Sequence, residues 1–193
     1  MKSAIAALLV LCAIVLTGCS SVTVRQPLGE KLPAAELKQL EGSWLHPDGA
    51  VMEVHALTDG QLAYAVTAWD EKEQQFKMES GRMAVTRAGA LTFVAIPNEA
   101  GDRYMLALCK LEGNNTASIY YPASDVFAKA VVDRHLEGSL KQREQDKTVN
   151  IDAPPEKVLE FINRLGVENC FVDTGKNGLV YRRVEKREQS GAN

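Results

Sequence analysis

Residues 50–69 read AVMEVHALTDGQLAYAVTAW. Two runs rich in β-branched, aromatic and small apolar residues flank Asp59-Gly60, a dipeptide that suits a two-residue type I′ hairpin turn. In such a hairpin Leu57 faces Leu62 and His55 faces Tyr64. Met52, Val54 and Ala56 then share a face with Ala63, Ala65 and Trp69. Leu57, Leu62, Tyr64 and Val66 make the opposite face apolar as well. A hairpin apolar on both sides belongs at the centre of a fold or beside a cavity.

The pattern around this hairpin repeats its period. Met83 and Val85 lie on one side of a strand over residues 82–87, and Ala88-Gly89 turns the chain into residues 90–96. Tyr104, Leu106 and Leu108 alternate over residues 103–111, and Ala117, Ile119 and Tyr121 over residues 116–121. Short strands at such regular spacing, about eight between residues 43 and 121, predict an antiparallel barrel or sandwich.

After Pro122 the period changes. Ser124 or Asp125 caps a helix carrying Val126, Phe127, Ala130 and Val131. Pro154-Pro155 opens a second helix with Val158, Leu159, Ile162 and Leu165 on one stripe, and Gly166 stops it. Residues 167–172 and 179–184 read as strands. The expected class is α+β: mainly an antiparallel β barrel or sandwich, followed by a small α+β C-terminal lobe. The expected boundaries are 1–18 signal peptide, 19–33 lipidated cysteine and tether, 34–122 β-rich domain, 123–184 lobe and 185–193 flexible tail.

Residues 1–18 carry the marks of export. Lys2 gives a positive start, and residues 4–16 form a charge-free apolar run too short for a membrane span. Leu16-Thr17-Gly18-Cys19 follows, and resembles the lipobox of bacterial lipoproteins. The resemblance implies cleavage before Cys19, diacylglyceryl and palmitate-type acylation there, and attachment to a membrane. Two or three chains give stable anchoring, since each buried methylene contributes about 0.8 kcal/mol. Ser20 follows the cysteine where an Asp would favour inner-membrane retention, so the resemblance implies an outer-membrane protein facing the periplasm.

The balance of 22 Lys and Arg against 25 Asp and Glu becomes −4 once Lys2 leaves, which argues against a nucleic-acid partner. With Cys12 lost and Cys19 lipidated, Cys109 and Cys170 remain in an oxidising compartment. They could pair as a disulfide or lie buried as two small hydrophobes.

No constellation for catalysis is legible. His46, His55 and His135 lack metal spacing, and the nearest metal grouping would be Glu53 and His55 with His46 or Asp48. Ser80 and Ser139 lack a nucleophile-elbow context. There is no phosphate loop or dinucleotide fingerprint, and no cofactor is expected. Arg182, Arg183, Lys186 and Arg187 form a basic cluster that reads either as a solvated strand end or as a contact for anionic groups.

Gly42-Ser43-Trp44, opening the strand-rich region, resembles the first motif of the lipocalin, or calycin, family. There the tryptophan plugs one end of an eight-stranded barrel and a distant arginine stacks on it. The acidic–aromatic turn of that family is not evident, and Arg103 and Arg134 are the candidates for the arginine. The functional expectation is a non-enzymatic envelope module binding an apolar or amphipathic ligand, with Trp44, Tyr64, Val66 and Trp69 as lining. The alternative is an envelope assembly scaffold whose partner is another protein, with the 123–184 lobe as contact surface.

Overall fold

The computed structural model describes residues 21–113, 115–143, 146–172 and 179–184. The signal segment, Cys19 and the expected tail lie outside the described residues.

The 50–69 hairpin forms, with β4 (Val51–Ala56) and β5 (Leu62–Asp70) antiparallel. Its register differs by one residue from the expected one. Val54 pairs with Tyr64 and Met52 with Val66, so the apolar residues of both strands share the inner face. The turn explains the slip. The Leu57 amide donates to Gln61 O and the Gly60 amide to Leu57 O, so three residues form the loop. Only Gly60 has positive φ, at 80°, whereas a type I′ turn needs it at both central residues. This is the type I turn with a glycine bulge, and one added residue exchanges every side chain between faces.

Around this pair run β3 (Gly42–Leu45), β6 (Gln75–Ala88), β7 (Leu91–Pro97), β8 (Tyr104–Glu112) and β9 (Thr116–Tyr120). Each pairs antiparallel with its sequence neighbour. The eighth strand, β12 (Leu179–Arg183), lies between β9 and β3 and closes an antiparallel barrel. The segment read as the last strand of a C-terminal lobe, or of an extension packed on the barrel, therefore belongs to the barrel wall.

The barrel is strongly sheared. The paired row Met78, Thr67, Val51, Leu45, Arg182, Thr116 and Glu112 runs round the wall. Extending the β7–β8 and β6–β7 registers returns it to Ala90, roughly 12 residues from its start. Eight-stranded parallel barrels with solid interiors stagger by about 8. The larger stagger tilts the strands further and widens the barrel, leaving space inside.

Outside the barrel, β1 (Ser21–Val24) pairs antiparallel with β8 and parallel with β11 (Asp146–Ile151), which pairs with β10 (Gly138–Arg143). α2 (Ser124–Val132) and α3 (Pro155–Leu165) contribute Phe127, Val158, Phe161 and Ile162 to a core shared with Phe93, Leu106 and Leu108 of β7 and β8. Strands β7 and β8 thus bury both faces, with Val94, Ala107 and Cys109 turned into the barrel.

Two further expectations change here. The tether is not free over residues 21–33: β1 is a sheet strand, Leu28 is fully buried, and β2 (Glu30–Lys31) pairs with β6. The Thr86 hydroxyl donates to Leu28 O at 2.5 Å, holding that crossing against the barrel. Residues 167–170, expected as strand, form a short helix, α4 (Val167–Cys170), which buries Cys170.

Candidate functional site

The inner faces of the barrel strands converge on a cavity of about 180 Å³. Its wall is apolar: Met52, Val54, Val66, Val94, Ile96 and Ile119 surround it, with Trp44 towards one end. The polar atoms in that wall belong to Thr92, Cys109 and the tyrosines 64, 121 and 181. Among the described residues, no charged side chain lines it.

One end is closed. Helix α1 (Ala34–Gln39) turns Leu37 inward, fully buried, and Leu32 and Leu40 pack beside it. Trp44 is 3 % exposed and its indole N–H donates to Leu40 O at 3.0 Å. The Arg183 guanidinium lies over the indole ring at 4.7 Å and donates to Gln39 O. An arginine on the last strand therefore clamps the tryptophan of the barrel's first strand onto the helix that caps it. That arginine is neither of the two candidates. Arg103 pairs with Asp152 and donates to Ile151 O at 3.1 Å, while Arg134 follows α2 in the outer layer with φ of 59°.

The other end carries the rim. Tyr181 packs its ring against His46 at 5.2 Å between centroids, and Tyr121 beside it is half exposed. Burial raises the pKa of both tyrosines, so both phenols stay protonated at neutral pH. Across the barrel, Tyr64 lies over Gly81, where a Cβ would stand 2.9 Å from the Tyr64 hydroxyl oxygen. A side chain there would push the ring away from the wall.

Of the four expected lining residues, Trp44, Tyr64 and Val66 meet in the cavity. Trp69 does not. The true register turns it to the outer face, 45 % exposed, where it stacks edge-on against Phe76 at 5.1 Å. Of the two alternatives for Cys109 and Cys170, the second is found: both are buried free thiols, Cys109 facing the barrel core and Cys170 the outer core.

His46 accepts the company of Asp48, with Nδ1 2.6 Å from the carboxylate, and His55 lies exposed on the outer face of β4. Among the described residues, no three His, Cys, Asp or Glu side chains are grouped as a metal site. Sequence reasoning read Arg183 only as part of a basic cluster, not as the partner of Trp44, and missed Tyr121 and Tyr181 as rim residues. The alternation of Leu179, Tyr181 and Arg183 with Val180 and Arg182 was the available signal for the last two residues of the clamp and rim.

No protein-family model, no curated protein and no solved structure matches the chain.

Proposed function

We propose that this chain is a lipid-anchored bacterial envelope protein whose barrel holds an apolar or amphipathic ligand without transforming it. The observation that carries the reading is the apolar cavity, closed at one end by α1, Trp44 and Arg183 and open at the other. Its size sets the guest. An apolar cavity of about 150 Å³ accepts a benzene ring, and sites for drug-sized molecules start near 300 Å³. A volume of about 180 Å³ suits one slender alkyl chain, entering tail first with its head at the rim. The arginine over Trp44 and the eight-stranded closure add to the calycin resemblance of Gly42-Ser43-Trp44.

The anchor rests on Leu16-Thr17-Gly18-Cys19. With acylation at Cys19, one residue separates the lipid from β1, so the barrel is held close to an outer membrane on its periplasmic side. Palmitate labelling of wild type, absent in Cys19→Ala, is the expected result. Equal labelling of both overturns the anchor.

Ligand binding is tested through tryptophan. The sequence has two, so Trp69→Phe leaves Trp44 as the reporter inside the cavity. Alkyl chains brominated at the tail should quench it saturably, and native mass spectrometry should show one chain per protein. Absence of both signals defeats the reading.

A second reading, an assembly scaffold, has one observation in its favour: Trp69, Phe76 and Met78 stand exposed together on the outer face of the β5–β6 hairpin. A photocrosslinker at residue 78 in whole cells would then capture a defined partner that one at residue 165, on α3, does not.

A further inference from the structure

The walls of the cavity say what kind of tail enters; the rim says what kind of head remains outside. We propose that the barrel mouth selects a single-chain amphiphile with a cationic head group. This rests on the ligand-binding reading above and narrows it.

The argument is one of charge and aromatic surface. Glu79 pairs with Val66 and Lys77 with Ala68, so both belong to the inner face of the hairpin that rises beyond the cavity. Lys77 is already held by Asp70 at 2.7 Å and by Glu73 at 3.0 Å. On the opposite side, Asp48 stands beside His46 and within electrostatic range of Tyr181. Glu79 is likewise within range of Tyr64. Among the described residues the rim therefore presents five carboxylates, Asp48, Asp70, Glu71, Glu73 and Glu79, against Lys77, which two of them already neutralise, and Lys72 in the turn between Glu71 and Glu73. Arg103, in the adjoining β7–β8 connection, is engaged by Asp152.

An anionic head meets a rim where carboxylates outnumber cations, over an uncharged wall that cannot compensate. A cationic head meets a negative field focused at the mouth of a low-dielectric cavity. It also meets the faces of Tyr121 and Tyr181, and aromatic faces attract ammonium groups, quaternary ones included. A neutral head gains neither attraction nor repulsion.

The test uses the full mature protein carrying Trp69→Phe, and tail-brominated alkyl chains of one length ending in trimethylammonium, hydroxyl or carboxylate. Quenching of Trp44 reports only chains that reach the cavity. The expected order of affinity is trimethylammonium, then alcohol, then carboxylate. The first and last should differ by about tenfold or more at low ionic strength and draw together as salt is added. The double variant Asp48→Asn, Glu79→Gln changes two exposed side chains. It should close most of that gap while leaving the alcohol's affinity unchanged, which also shows that the barrel is intact. Equal or tighter binding of the carboxylate, or a gap unmoved by the double variant, overturns the head-group selection and leaves the cavity reading standing. Failure of all three chains to quench Trp44 removes the cavity reading, and this inference with it.

Discussion

Cys109 and Cys170 are two thiols that burial keeps protonated. Desolvation in the barrel core raises Cys109 to about 11, and desolvation together with the Glu168 charge raises Cys170 to about 11. An unfolded cysteine ionises near 8.5. Between those values the unfolded chain binds fewer protons than the folded one, so stability falls as pH rises. Below about pH 8.5 the contribution is fully present; it is lost progressively up to about 11. The expected outcome is a urea midpoint that declines from pH 8.5 to 10.5, with a shallower decline in Cys109→Ala. An unchanged slope in the variant would count against a buried, unpaired Cys109. Alkylation in the native state should be slow for the same reason, since the thiolate is the nucleophile.

Strands are where sequence and structure part company most instructively. Alternation located β4, β5 and β7 through β9, and of β6 only its second half from residue 82, because each has one face on the barrel core and the other on solvent or a second core. Alternation alone could not decide which residues of β4 and β5 face inward. Asp59-Gly60 admits two loop lengths, and the added residue sends Tyr64 and Val66 inward and Trp69 outward. The fate of β1 was hidden because Val22 and Val24 are buried by partners 80 or more residues away in sequence. Residues 179–183 were recognised as strand, but nothing local says that their partners are Ile119 and Trp44 rather than a nearer neighbour. Because β12 pairs on both sides, a proline within it loses a ladder bond with no solvent edge to receive it. Arg182→Pro, at a residue paired with both Leu45 and Thr116, should therefore open the barrel, leave β3 and β9 as bare edges, and move the protein into aggregates by size-exclusion chromatography. Outer-face Arg182→Lys should elute as the wild type does.

At the scale of the molecule, two cores share one wall. Phe93, Leu106 and Leu108 face the outer helices, while Val94, Ala107 and Cys109 of the same strands face the barrel interior. Neither core can dissolve without stripping one face of β7 and β8, so the two should melt as a unit. Phe127 tests this. It is fully buried and meets Phe161 at 5.6 Å and Phe171 at 6.5 Å, all outside the barrel. Phe127→Ala should cost about 3–5 kcal/mol. The Trp44 emission change, reporting the barrel, should coincide with loss of far-ultraviolet ellipticity across the shifted transition. Two separated transitions would make the outer layer an independent unit.

The closing strand also sets a timetable. A chain is made and threaded from its amino end, and the residues that seal this barrel, 179–183, follow the seventh stave, which ends at Tyr120, by nearly sixty residues. Until they emerge, the sheet is an open ribbon with an uncovered oily trough, and its first and seventh staves each lack one neighbour. Shape, and with it any capacity to hold a guest, has to await that stretch. A ribosome stalled short of that point would release a sticky half-vessel, and whatever escorts the nascent protein has to shield it until the last stave drops in.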